Sequence, residues 1–322
     1  MPDSVAATGP IFIMGNHRSG TTWLHLLLAE TGCFAYVTAF HVIAYNALGT
    51  EPADVEHSRA YQSVVETFTR LGLDHRVIDD VAISPSCPEE YGSILSNAGT
   101  GGRITPRNLG LFHELCERVH RLAGPNKRLL LKNPWDYSNF VYIKSAIPNA
   151  RFVFIHRHPE RVVHSSLNAA RAVLTNRDPY YALLAREYDR LFSRPALLYL
   201  LRLTTARRFG LGIRTVINFV AKANAYFATH VNKLPPNDCL SIRYEDLCLH
   251  TPELVEDILR FCGVDPIAGW ALRTPPQPRS SQLLPEVALN SKTIARRMAA
   301  YMLLHGYASD GRVSPLPGAV KL

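Results

Sequence analysis

The residues best suited to chemistry begin at Gly15-Asn16-His17-Arg18-Ser19-Gly20-Thr21-Thr22, between the apolar run Ile11–Met14 and the helical pattern TTWLHLLLAE. Gly15 and Gly20 bracket four residues, the spacing of a phosphate-binding loop, but Thr21-Thr22 stands where the ATP-handling loop carries Lys-[Ser/Thr]. A strand over 11–14 followed by a helix over 22–30 aims backbone N–H groups and the positive helix end at one point, an anion site by geometry. The Thr21 and Thr22 hydroxyls add donors, and Arg18 adds a planar cation that grips phosphate or sulfate bidentately. With its lysine missing and no carboxylate evidently placed for Mg²⁺, the loop suits a nucleotide with a single 5′ anionic group better than γ-phosphate transfer. The plainer alternative is a glycine-rich turn carrying an exposed arginine.

Two more segments aim cations at the same rim. In RFVFIHRHPERVVHSS a buried strand ends at His156, Arg157 follows, and Ser165 lies about two helical turns along the next helix, a grip for a second phosphate. In LLLKNPWDYS the strand ends at Lys132, and Pro134 turns the chain out of it. Taken singly, Lys132 reads more readily as a snorkelling lysine than as a catalytic one. Three cations at neighbouring strand ends are harder to explain as solvated surface.

The elements that must position these residues are short apolar runs, 11–14, 128–132, 150–156 and 239–244, which lack polar alternation as buried parallel strands do. Between them lie segments with helical spacing that stop at Gly32, Gly124 and Gly263. The pattern predicts an α/β chain, a P-loop-type three-layer fold with a central parallel sheet flanked by helices, organised as a single domain over 1–322. Residues 45–108 read as a loop-rich substrate wall, and 270–290 as an extended surface loop. Residues 191–227 form a basic, acid-free amphipathic helical segment, with Arg194, Arg202, Arg207, Arg208, Arg214 and Lys222 among strong apolar runs. That segment suits either a lid near a lipophilic acceptor with peripheral membrane contact, or an ordinary helix pair packed on the core.

The 322 residues carry 35 Lys and Arg against 27 Asp and Glu, a net +8 that favours anionic ligands. Six cysteines without a CxxC pair, and no His/Cys spacing of a zinc site, predict reduced thiols and no metal. The opening MPDSVAATGP lacks a basic region followed by an apolar core, and no apolar run reaches the roughly 18 residues of a spanning helix. A cytoplasmic protein is therefore expected. A basic helix interleaved with aromatics is not evident, which argues against nucleic acid.

Together, GNHRSGTTWLH, PEEYGSIL, LLLKNPWDYSNFVYIKSAIPNARFVFIHRHPERVVHSS and IRYEDLCLHTPELVEDILRFCGV resemble, in order and over most of the chain, the sulfotransferases that use 3′-phosphoadenosine 5′-phosphosulfate (PAPS). The likeness is to bacterial enzymes related to the protein-tyrosine sulfotransferases. The resemblance implies that Arg18, Ser19, Gly20, Thr21 and Thr22 bind the 5′-phosphosulfate, that Arg157 and Ser165 bind the 3′-phosphate, and that Tyr244 belongs to the cofactor site. It implies that Lys132 stabilises the sulfuryl group in flight, with Arg18 sharing that role, and that a loop within 279–297 covers the adenosine. In the protein-tyrosine enzymes a glutamate follows the loop by about twenty residues, but the matching stretch AYVTAFHVIAY has no carboxylate. His41 is the titratable residue there and a competent base near its usual pKa of roughly 6.5, or else a hydrogen-bonded wall residue. Glu89 and Glu90 are its rivals.

The sequence thus predicts sulfuryl transfer from PAPS to a hydroxyl of a small-molecule or lipid-like acceptor, releasing 3′-phosphoadenosine 5′-phosphate (PAP), with no metal. Its competitors are a small-molecule P-loop kinase and a non-catalytic protein that binds PAP or a related nucleotide. The acceptor's identity and the oligomeric state are left open.

Overall fold

A computed structural model of the chain describes residues 9–48, 58–78, 81–124, 126–206, 210–267, 270–271, 282–308 and 320–321. The chain opens with β1 (Ile11–Met14), α1 (Thr21–Glu30), β2 (Phe34–Tyr36), α2 (Ala39–Ile43), α3 (Arg59–Leu71), α4 (Gly92–Asn97) and α5 (Leu109–Ala123). The middle holds β3 (Arg128–Lys132), α6 (Phe140–Ala146), β4 (Arg151–His156), α7 (Pro159–Thr175), α8 (Pro179–Leu184), α9 (Arg186–Phe192), α10 (Pro195–Thr205) and α11 (Leu211–His230). Then come β5 (Cys239–Arg243), α12 (Tyr244–Leu249), α13 (Thr251–Cys262), α14 (Pro285–Leu289), α15 (Ser291–Arg297), α16 (Ala299–Leu304) and β6 (Val320–Lys321).

The strands make one sheet in the order β2-β3-β1-β4-β5-β6; the first five run parallel and β6 pairs antiparallel to β5. Side chains alternate across the pleat, so each strand feeds two cores. Phe12, Met14, Leu129, Leu131, Phe152 and Phe154 pack on one face with α5 and Phe227 of α11. Ile11, Ile13, Leu130, Val153, Ile155 and Ile242 pack on the other with Leu24 and Leu28 of α1 and Ile258 of α13. This is the three-layer α/β, P-loop-type architecture predicted from the apolar runs.

β1 lies between β3 and β4, with Ile13 opposite Lys132 and Met14 opposite Phe154. The loop after Met14 therefore leaves the sheet beside the ends of both neighbours, which is what assembles the rim.

Several boundaries differ from the sequence reading. The strand read as 239–244 stops at Arg243, and Tyr244 opens α12. β2 was missed because three residues show no periodicity. The wall over 45–108 contains α3, started by Ser58 accepting from Tyr61 N and anchored by buried Val64 and Phe68, and also α4. Within the stretch read as an extended loop, α14 is helical because Pro285 sits in its first turn, where a missing N–H is tolerated, and Val287 is buried. Arg207, Arg208, Arg279 and residues 49–57 lie outside the described residues.

The described part of 191–227 resolves into the end of α9, α10 and α11. α11 is an ordinary packed helix on one face: Ile213, Ile217 and Val220 meet Val162, Val163 and Leu167 of α7. Among the described residues no helix is long and apolar enough to cross a membrane.

Four buried histidines, His25, His41, His156 and His305, are held below the usual imidazole value by burial, His41 at about 4 and His305 at about 3. A group whose folded pKa lies below its unfolded value gives stability that is complete above the unfolded value, roughly 6.5, and is lost as pH falls towards the folded one. The urea midpoint is expected to drop between pH 7 and 4.5; a midpoint constant over that range contradicts this account.

Candidate functional site

The loop after β1 is a tight turn held by its own backbone. Ser19 N and Ser19 Oγ both donate to the carbonyl of Asn16, at 3.1 and 2.8 Å, and Gly20 at φ 103° starts α1. A side chain on Gly20 would place Cβ 2.3 Å from Tyr244 Cδ2, and one on Gly15 would place it 2.6 Å from the carbonyl oxygen of Ile155. Both glycines therefore let β4, α12 and the loop close on one another. Arg18 has φ 70°, a left-handed conformation that L side chains seldom adopt. Backbone strain of this kind persists where the surroundings impose it, and here they do.

Those surroundings are the second arginine and its neighbours. Arg157 Nη1 donates to the Arg18 carbonyl at 3.1 Å, and its guanidinium lies 4.4 Å from the Tyr244 ring centre. Arg18 Nε donates to Ser165 Oγ at 3.0 Å, across 147 residues of sequence. α7 carries Ser165 because β4 ends at the rim and Pro159 starts the helix directly. Arg18, Gly20, Thr21, Thr22, Arg157, Ser165 and Tyr244 thus line one cleft of about 260 Å³. Trp23, Arg161, His164 and Asn168 also line it and were missed. For the last three the signal was present: 157, 161, 164 and 168 recur at helical spacing after the strand end.

At the other end of the loop, Lys132 is 2 % exposed, and its Nζ donates to Glu90 Oε1 at 2.7 Å and to Thr22 Oγ1 at 3.3 Å. Burial pushes the Glu90 carboxyl up, but the nearby Lys132 and His17 outweigh it, and the net shift is downward. The wall bearing Glu90 is pinned to the end of β3 by a fully buried carboxylate. Asp136 accepts from Tyr91 OH at 2.7 Å, Asn133 Nδ2 at 2.9 Å, Asn139 Nδ2 at 2.7 Å and Ile104 N.

Glu89 and His41 are placed differently. Glu89 is buried, accepting from Tyr180 OH at 2.5 Å and Arg76 Nη1 at 3.2 Å. His41 closes the first turn of α2: Nδ1 accepts from Thr38 N at 3.0 Å while its own N–H donates to Thr38 Oγ1. Neither lines the Arg18 cleft, nor do Ser19, Lys132 and Glu90, but Lys132 and Glu90 reach the cleft residue Thr22 through hydrogen bonds. The structure therefore brings together Arg18, Ser19, Gly20, Thr21, Thr22, Arg157, Ser165 and Tyr244, with Lys132 and Glu90 joined through Thr22, and sets Glu89 and His41 in the surrounding wall.

A nucleotide with two separate anionic groups fits these residues. The glycine turn and α1 N-terminus offer one cradle, and Arg157 with Ser165 offers a second. Of residues 279–297, the described part forms α14 and α15, packed through Val287 and Ile294 against α7 and α11; none of its residues lines the cleft.

Comparison with known proteins gives the same direction. Residues 10–203 match the family model described as Sulfotransferase family. Two curated proteins called omega-hydroxy-beta-dihydromenaquinone-9 sulfotransferase Stf3, from Mycobacterium bovis and Mycobacterium tuberculosis, are each 24% identical over 193 residues, 53% of this chain and 47% of theirs. The chain thus matches about half the length of these relatives. Among solved structures, sulfotransferase STF1 of Mycobacterium tuberculosis aligns with a TM-score of 0.54 at 17% identity, covering 92% of this chain and 79% of the other. STF9 of Mycobacterium avium aligns with a TM-score of 0.53 at 13% identity, covering 97% and 75%. Those two likenesses carry the fold, and the family match, which spans more than half of the chain and contains the loop, Lys132, Arg157 and Ser165, places this protein in the sulfotransferase family.

Proposed function

We propose that this protein transfers a sulfuryl group from PAPS to a hydroxyl of a small, apolar or lipid-like acceptor and releases PAP. The observation that carries the reading is the pair Lys132–Glu90, 2.7 Å apart and tied through Thr22 to a loop whose cations face a cleft. Gly20, Thr21, Thr22 and Ser19 would hold the 5′-phosphosulfate, Arg157 and Ser165 the 3′-phosphate, and the Tyr244 ring backs Arg157. The donor, once bound, supplies an electrophilic sulfur with a phosphate leaving group. Lys132 and Arg18 offset the negative charge that grows on the sulfuryl and bridging oxygens during an in-line transfer.

Glu90 is the base in this reading. Its carboxyl is held below the ordinary carboxylate range with Lys132 alongside, so it is ionised at neutral pH and takes the acceptor's proton. Glu89 Oε1 accepts from Tyr180 OH and Arg76 Nη1 and its Oε2 from Glu90 N, and His41 has Nδ1 committed to the helix start. For the acceptor, support comes from the named substrate of the mycobacterial relatives, a lipid-like menaquinone derivative. Further support is the exposed Tyr199, Leu200 and Leu211 on α10 and α11, among the exposed cations Arg194, Arg214 and Lys222.

Calorimetry is expected to give PAP binding that needs no magnesium and exceeds ATP binding; preference for ATP overturns the reading. Arg157→Ala is expected to weaken PAP at least about tenfold, the loss of one charged hydrogen-bonding partner.

Glu90→Gln should lower turnover about a hundredfold or more while PAP binding is retained. Glu89→Gln should act instead on stability, because Arg76 is left buried without its carboxylate, at about 3 kcal/mol or more. With Glu90 as base, His41→Ala should keep its turnover across about pH 6 to 9; turnover lost in that variant while it stays folded would move the base to His41.

Sedimentation with anionic liposomes at low salt is expected to carry the protein down, and high salt to release it. Protein left in the supernatant at low salt excludes the membrane contact.

A further inference from the structure

One group beside the Lys132–Glu90 pair has no part in the mechanism above. His17, directly before Arg18, presents its ring edge-on to Trp135 at 4.5 Å between centroids and tilted to Phe219 at 6.1 Å; Trp135 and Phe219 are 6.3 Å apart. Trp135 is three residues beyond Lys132 and 51 % exposed, and Phe219, on α11, is 47 % exposed. Large aromatics half in water are costly to leave uncovered, and Trp135 and Phe219, inclined at 74°, can receive another flat ring face-on against one and edge-on against the other. His17 Nε2 is shielded from solvent and has no hydrogen-bond partner among the described residues. A buried polar atom left unpaired is expensive, and it is relieved when a ligand group reaches it.

The imidazole lies within the electrostatic reach of Glu90, Lys132 and Arg18. Burial, above all, lowers its affinity for a proton, Glu90 opposes that, and Lys132 and Arg18 add to it, with a net downward shift. A neutral imidazole has one N–H and one lone pair, and pairs with a hydroxyl in either sense.

We propose that His17, Trp135 and Phe219 are the acceptor's seat, and that the seat takes a planar aromatic alcohol whose ring stacks on one of Trp135 and Phe219 and meets the other edge-to-face, and whose hydroxyl hydrogen-bonds to His17 Nε2. The seat keeps that hydroxyl within the electrostatic reach of the carboxylate proposed to deprotonate it. His17 is a specificity-determining residue here: it distinguishes a hydroxylated ring from a bare one, while Trp135 and Phe219 distinguish a flat body from a puckered one. This assignment rests on the sulfuryl-transfer reading for its purpose, but its binding test does not depend on the donor.

The test is equilibrium dialysis of the full chain against 2-naphthol, naphthalene and decahydro-2-naphthol, with and without PAP. The wild-type chain is expected to bind 2-naphthol about three- to tenfold more tightly than naphthalene, the worth of one neutral hydrogen bond. It is also expected to bind decahydro-2-naphthol more weakly than 2-naphthol. Trp135→Ala and Phe219→Ala should each weaken 2-naphthol about tenfold with PAP affinity unchanged, and His17→Phe should equalise 2-naphthol and naphthalene. Equal binding of the flat and puckered alcohols, unchanged binding in both ring deletions, or a hydroxyl preference that survives His17→Phe overturns the seat. Absent PAP binding with the naphthol pattern intact would instead sink the donor reading alone.

Discussion

Three cations at the ends of three adjacent strands repel one another, and much of the rim is organised to hold them in place. The parallel order β3-β1-β4 leaves no choice about their proximity, because Lys132, the Arg18 loop and Arg157 leave the sheet side by side. The repulsion is met differently at each. Lys132 is neutralised by Glu90, Arg157 donates to the Arg18 carbonyl and lies over the Tyr244 ring, and Arg18 is steered to Ser165 through a left-handed backbone. Positive charge held at fixed positions beside the N-terminus of α1 favours an anion.

Two adjacent glutamates show how local geometry separates roles that composition cannot. Glu89 N donates to the Val37 carbonyl, and its side chain enters the core under Tyr180 and Arg76. Glu90, one residue on, projects the opposite way to Lys132. The Asp136 bracket makes this possible: four donors converge on one carboxylate and lock the wall to the end of β3, so Glu90 meets Lys132 in a defined position.

The rim is also braced from behind by segments beyond the region that matches the family. Glu245 accepts from His158 N and from Tyr307 OH, His156 Nδ1 pairs with Tyr301 OH, and Arg243 forks onto Asp246 while donating to the His305 carbonyl. The strand end that carries Arg157 is therefore fixed by α12 and by residues 301–308. This is why a site most of whose motifs lie before residue 203 needs the later chain, which also supplies Tyr244, to be rigid.

The α/β class, four of the five parallel strands and seven of the residues that line the cleft were legible from the sequence. Buried strands are continuous apolar runs, and a cation just after such a run is delivered to the carboxyl rim whatever the rest of the chain does. β2 was not legible, because three residues carry no period, nor were the helices inside the supposed loops, whose stability comes from one or two buried contacts. The wall residues were the least legible of all. His41, Glu89 and Glu90 are equivalent candidates by residue type, and only long-range packing commits the first to a helix start, the second to Tyr180 and Arg76, and the third to Lys132. His17 drew no notice for the same reason: its neighbours Trp135 and Phe219 lie 118 and 202 residues away. Residue type and local spacing determined what each strand end could offer; only tertiary structure decided which polar groups were left with a partner and which were left facing a ligand, because burial and pairing are properties of the assembled chain.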